Sequence, residues 1–314
     1  MTTITEIPGA TADRMNNMSS LPSSPTIPSV RDSYSGPSAW RCGSRRLEIG
    51  SRTLLMGVIN VTPDSFSDGG LNLDPKVAIQ NARRLRDEGA DILDIGGESS
   101  RPGAEPVSED EECRRVLPVI EGLHDIDIPI SIDTYKADVA DAACRAGACI
   151  VNDITALGGD PNMAEVAARH KAGLVLMHIR GTPATMQSLT HYEDLIGEIR
   201  AFLAEAIRRA VEAGVDRESI VVDPGIGFGK EAEQNIEILR RLRSFRELGC
   251  PVLVSTSRKS FLGWITGRSV KSRAFATAAS VACAVARGAD IVRVHDVLAM
   301  RDVIRVADAI ERDS

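Results

Sequence analysis

Eight short, almost wholly apolar runs alternate along this chain with eight longer amphipathic stretches, and that alternation restricts the fold more than any other feature. The runs cover residues 54–59, 91–95, 129–132, 149–151, 174–177, 219–222, 251–254 and 290–292. They are too short for helices, and apolar residues on both alternating faces suit strands covered on both sides. The stretches between and after them cover 75–88, 110–123, 136–146, 161–170, 192–213, 233–248, 271–287 and 297–311. Parallel strands joined through helices need right-handed crossovers, and eight such units close most simply into an α/β, (β/α)8 TIM barrel. A doubly wound open sheet competes, but it usually carries a Gly-rich dinucleotide turn after its first strand, and none is present. Gly89, Gly147, Gly173 and Gly288 stand just before strands and are expected to stop helices in the left-handed conformation. Residues 40–52 are expected to form a small hairpin across the bottom of the barrel.

The 314 residues exceed by a tail what one barrel of about 250 residues needs. Residues 1–40 are crowded with Ser, Thr, Pro and Asn and have no hydrophobic period, so they read as a disordered extension, with the catalytic barrel over 41–314. They lack the basic start and apolar stretch of a signal peptide. The net charge is −7 with scattered basic residues, which argues against nucleic acid as a partner. No apolar run approaches the roughly 18 residues of a membrane span. Cys42, Cys113, Cys144, Cys149, Cys250 and Cys283 form no C-x-x-C pair, which favours reduced thiols and a cytoplasmic protein.

In a (β/α)8 barrel the site is built just after the strands, so unusual polar residues should cluster there. They do: Asn60, the segment 96–103, Asp133, Asn152-Asp153, His178, Asp223, Ser257-Arg258-Lys259, then Arg293 and His295. A helix cap explains Ser99 or Asp153 taken alone. It does not explain Arg101, Lys259, Arg293 and His295, which read together as a cationic anion site. Asn60 offers an oxygen to a hard cation such as Mg²⁺, which takes few protein ligands and keeps water and phosphate oxygens. Asp133, Asn152 and Asp223 suit the edge of a nitrogen heterocycle; metal binding is less favoured because no third carboxylate or histidine completes a set. A lone histidine is more often structural, so His178 is expected to cap a helix rather than face the mouth.

With those residues in view, the chain resembles the dihydropteroate synthases. The matching segments are MGVINVTPDSFSDGG at 56–70, DIGGESSRPGA at 94–104, SIDT at 131–134, VNDI at 151–154, LMHIRGTP at 176–183, DPGIGFGK at 223–230, SRKSFLG at 257–263 and RVHDV at 293–297. They keep the family's order and spacing over about 54–300. The resemblance implies condensation of 6-hydroxymethyl-7,8-dihydropterin diphosphate with 4-aminobenzoate, giving 7,8-dihydropteroate and diphosphate in folate biosynthesis. It implies that Asp133, Asn152, Asp223 and Lys259 hold the pterin, and that Asn60, Arg293 and His295 hold diphosphate and Mg²⁺, Asn60 being the metal ligand. Phe66, Ser100, Arg101, Pro102, Phe228 and Ser257 fall on positions that surround aminobenzoate. Catalysis would rest on Asp223, Lys259, Arg293 and His295, with no enzyme nucleophile.

The resemblance further implies a homodimer, and with no insertion near Phe228 or Ser257 of the kind that marks sulfonamide-insensitive relatives, sensitivity to sulfonamides is expected. The loops at 60–70 and 99–106 carry Pro, Gly and Ser, as loops that close on substrate often do, and are expected to order only with diphosphate and Mg²⁺. Ser100 departs from the Thr common in the family but keeps its hydroxyl. A methyltetrahydrofolate:corrinoid methyltransferase shares fold and pterin slot, yet should lack the Ser-Arg-Lys and Arg-Pro-Gly elements. A non-catalytic pterin-binding paralogue should have lost Arg101, Lys259 or Arg293, and all three are present.

Overall fold

The computed structural model describes residues 38–62 and 74–312. A hairpin of β1 (Ala39–Cys42) and β2 (Arg45–Glu48) opens the described chain, so Ala39 and Trp40 belong to a strand rather than to an extension ending at 40. Eight parallel strands follow: β3 (Leu54–Asn60), β4 (Ile92–Gly96), β5 (Ile130–Asp133), β6 (Ile150–Asp153), β7 (Gly173–Met177), β8 (Ile220–Asp223), β9 (Leu253–Val254) and β10 (Ile291–Val294). They lie in the order β8-β7-β6-β5-β4-β3-β10-β9, and a parallel bridge between Val222 and Val252 joins the two ends into a barrel.

Strand alternation divides the core in two. Leu55, Leu93, Val151, Leu174, Val222, Val254 and Val292 pack outward against the helices. Met56, Ile92, Ile150, Val175, Val221, Leu253 and Ile291 point inward and meet Trp40 and Cys42 of the hairpin. The hairpin is pinned by Trp40, whose indole N–H donates to the Ser219 carbonyl at 2.8 Å. Two residues further along four of these strands the inward positions become Asp94, Asn152, Asp223 and Arg293, so the polar floor of the mouth rests directly on an apolar layer.

Several local expectations change. Gly89, Gly147 and Gly288 do take positive φ, but before β7 the left-handed residue is Lys171, and Gly173 is already in the strand. A Cβ on Gly173 would meet Cys42 Sγ at 2.7 Å, so this glycine serves hairpin contact, not helix termination. The amphipathic stretch 233–248 breaks at Arg241 into a helix (Ala232–Arg240) and a 3-10 segment (Leu242–Leu248). A helix at Ser260–Thr266, begun inside the Ser-Arg-Lys-Ser-Phe-Leu-Gly segment, was not signalled by periodicity.

Candidate active site

The floor is organised around Arg293. Its Nε donates to Asp94 and its Nη2 to Asp133, both at 2.6 Å, while Asn152 Nδ2 donates to the same Asp94 oxygen at 3.2 Å. Burial lowers the arginine's pKa, but Asp94 and Asp133 outweigh it and raise it further. Burial raises the Asp133 carboxyl above its usual range, against Arg293 and with the help of Asp94. Removing such charges from water is costly unless each is paired. Among the described residues, Asp94 Oδ1 and Ser131 Oγ, on paired positions of β4 and β5, have no hydrogen-bond partner.

Lys259 stands beside this cluster with its ammonium 4.1 Å from the centroid of the Phe228 ring. Burial and Arg293 lower it to about 8, with Asp223 and Asp133 opposing. Asp223 accepts from the Gly225 N–H at 2.7 Å and is raised to about 6, mainly by burial. Gly225 has φ 71°, and a Cβ there would lie 1.9 Å from the His178 carbonyl oxygen, so the 223–230 turn requires glycine at this point.

At the wall, the Ser257 hydroxyl lies 2.9 Å from His295 Nδ1 and also accepts from the His295 N–H at 3.2 Å. Burial, then Arg258, Arg293 and Lys259, lowers His295 to about 3. His295 is therefore neutral at ordinary pH, a correction to its reading as a cation. In the tautomer where Nδ1 accepts from the Ser257 hydroxyl, Nε2–H is left to donate. Arg258 pairs with Asp296 at 2.6 Å and adopts φ 60°, a strained value for an arginine, next to the cavity-lining Lys259.

These groups open into a cavity of about 420 Å³. Asn60, Ser100, Arg101, Pro102, Asp133, Phe228, Ser257, Lys259, Arg293 and His295 line it. Asn152 and Asp223 are buried in the floor beneath, and Phe66 lies outside the described residues. The 60–70 loop expectation falls mostly outside them as well. Asn60 ends β3 and is partly exposed to the cavity. Among the described residues no group of three His, Cys, Asp or Glu side chains gathers to hold a metal; the single amide oxygen of Asn60 suits a hard cation that keeps most of its water.

Sequence reasoning missed three features. Asp94 sits inside an apolar run, and only its charge in a doubly buried strand marked it. His178 caps no helix: its Nδ1 accepts from Lys230 Nζ at 2.9 Å, and burial followed by Lys230 lowers it to about 2. Lys230 also donates to the carbonyls of Gly225 and Phe228, at 2.9 and 2.8 Å, and so fixes the turn that carries Phe228. Third, Glu98, Glu112, Tyr135 and Lys136 form a partly buried network behind the 99–106 loop.

The profile of the family described as pterin binding enzyme matches residues 56–295. The chain is 52% identical over 272 residues to a dihydropteroate synthase of Synechocystis, covering 86% of this chain and 94% of that protein. It superposes with a TM-score of 0.79 on the Clostridium difficile dihydropteroate synthase solved in the presence of pteroic acid, at 48% identity, over 84% of this chain and 99% of the other. The Yersinia pestis dihydropteroate synthase in a sulfonamide drug complex gives a TM-score of 0.84 at 39% identity, over 88% of this chain and 100% of the other.

Proposed function

This chain belongs to the dihydropteroate synthase family of pterin binding enzymes and is a transferase of folate biosynthesis, and we propose how its own residues divide the work. The observation that carries the proposal is the floor, where Arg293 lies between Asp94 and Asp133 while Lys259 stands over Phe228 near Asp223. Asp133, Asn152, Asp223 and Lys259 hold the dihydropterin. The buried carboxylates accept from its ring N–H and amino groups, and Lys259 donates to a ring acceptor. Asn60, Arg293 and His295 hold the diphosphate, His295 through Nε2–H. Ser100, Arg101, Pro102, Phe228 and Ser257, with Phe66, enclose 4-aminobenzoate.

The bond from the pterin methylene carbon to diphosphate oxygen breaks with its electron pair leaving on oxygen. The dihydropterin ring shares the positive charge left on carbon, and Asp223 stabilises it. Arg293 and the His295 N–H stabilise the departing anion. The arylamine nitrogen then attacks the carbon and loses a proton. Bound Mg²⁺, held through Asn60 and the substrate's own oxygens, would supply further positive charge to the leaving group.

The reading extends to a homodimer. Trp264, Ile265, Val270 and Phe275 are exposed on neighbouring segments around the helix Ala274–Ala286, with Phe275 93% accessible. A cytoplasmic location is supported by six unpaired cysteines, and no described helix is long and apolar enough to cross a membrane.

Release of diphosphate from dihydropterin diphosphate and Mg²⁺, with and without 4-aminobenzoate, tests the assignment beside Lys259→Ala. Release that depends on aminobenzoate and is lost in the variant is the expected result. Tight pterin binding without turnover would instead indicate a non-catalytic paralogue. A sulfonamide should compete with aminobenzoate; failure to compete would overturn the assignment of Arg101, Phe228 and Ser257.

A further inference from the structure

The 99–102 segment lines the cavity, but the residue before it does not, and that residue makes more contacts than any catalytic need explains. Glu98 Oε1 accepts from the Tyr135 hydroxyl at 2.6 Å, and Oε2 accepts from Lys136 Nζ at 2.5 Å and from the Val107 N–H at 3.0 Å. The last of these spans nine residues, so one carboxylate ties together both feet of the loop that carries Ser100, Arg101 and Pro102. Lys136 is shared with Glu112 at 2.5 Å, a carboxylate only 1% exposed, which anchors the tie to the helix Glu109–Glu121 behind the loop. Arg115 of the same helix donates to the Gly97 carbonyl at 2.9 Å, which holds the loop's first foot independently. Tyr135 and Lys136 follow Asp133 with only Thr134 between, so the tie also runs to the strand end that bears a floor carboxylate.

We propose that Glu98, set by Lys136 and Tyr135, is a positioning residue that latches the 99–106 loop and so places Arg101 and its neighbours for the aryl amine. This rests on the reading above that the loop encloses 4-aminobenzoate. Glu98 does not touch substrate: it is absent from the cavity wall, and both its oxygens are taken up by protein donors. Its part is to hold the two feet of a loop whose tip, at residues 101–103, is exposed, and a tip held at both ends pivots about that closure as one piece. The tie also gives the loop and the Asp133 strand end a common anchor, so the aminobenzoate side and the pterin side keep their spacing when the loop moves.

The test compares Glu98→Gln, Tyr135→Phe and Arg101→Ala with the full-length enzyme. Glu98→Gln keeps shape but puts a neutral amide on Lys136, and Tyr135→Phe removes only a hydroxyl, which keeps one variant folded if the other is not. The readouts are KM for 4-aminobenzoate, Kd for the dihydropterin diphosphate with Mg²⁺, and hydrogen exchange of the Val107 amide. Expected is a rise in aminobenzoate KM of about tenfold or more in Glu98→Gln, since small misplacement of a positioned group is costly. Pterin Kd should stay within about twofold, and the Val107 amide should exchange faster. A general loss of structure would move both substrates together. If Arg101→Ala raises the aminobenzoate KM while Glu98→Gln and Tyr135→Phe leave it unchanged, the latch is overturned and the reading of the loop survives. If Arg101→Ala leaves it unchanged as well, the reading of the loop fails and the latch with it.

Discussion

At its N-terminal end the barrel buries two ion pairs and satisfies their carboxylates within the fold. Asp290 accepts from Arg246 and from the Val252 N–H, both at 2.9 Å. Arg312 donates to Asp308, Gly50, Thr53 and Ala289, while Asp308 also accepts the Thr53 N–H and hydroxyl. At the C-terminal end Arg293 binds two carboxylates, one of which keeps an oxygen without a partner among the described residues, and Lys259 rests on an aromatic face. The same chemistry, burying charge, satisfies the carboxylates at one end and leaves a carboxylate oxygen open at the other. Desolvation has already been met by the fold at the mouth, so an incoming heterocycle finds donors and acceptors that need little reorganisation.

The sharpest way to break this contrast is Arg293→Met. It should cut aminobenzoate-dependent diphosphate release by at least about 10²-fold. It should also lower stability to urea by about 3–5 kcal/mol, because Asp94 and Asp133 would be left unpaired in the interior. A variant that kept activity would overturn the placement of the leaving group.

Next comes pH. Lys259 is held near 8, so kcat/KM for the dihydropterin diphosphate should fall tenfold per unit as pH rises above that value. Its folded value lies below the 10.5 of the free side chain, so across that window this group's contribution to stability rises while activity falls. Lys259→Arg should remove the alkaline limb in a pH-rate profile, whatever it does to the maximal rate.

Asp290→Asn sharpens the comparison from the closed end. It should cost about 1–3 kcal/mol in urea unfolding, the penalty of weakening a buried charge-assisted pair. Both KM values should stay unchanged. The smallest effect is expected from Ser100→Thr, which adds one methyl on a partly exposed loop and should move aminobenzoate KM by no more than about twofold.

The eight-fold alternation was plain in the sequence because each buried strand is a continuous apolar run, and the final helix, Val297–Glu311, matches its periodic stretch at both ends. The polar ends of the strands were equally readable where inward positions switch from apolar to polar at a strand's last residues, Ile150 to Asn152, Val221 to Asp223 and Ile291 to Arg293, whereas Asp94 was lost inside its apolar run. What stayed hidden depends on contacts distant in sequence. Nothing local announces that Glu98 reaches Lys136, that Lys230 reaches His178, or that Gly173 makes room for Cys42. The protonation of His295 was misread for the same reason, because its burial, and then the nearness of Arg258 and Lys259, arise only once the barrel has brought separate strands together.

The bridge that completes the ring is slight: β9 has two residues, and its junction with β8 is the single pairing of Val222 with Val252. Asp223 ends the strand on one side of that seam, and Lys259 follows the strand on the other. The two residues proposed to hold the pterin from opposite sides are thus carried on the two lips of the barrel's thinnest joint. A heterocycle held by both residues, as proposed above, would span that seam and tie its two lips together from the inside.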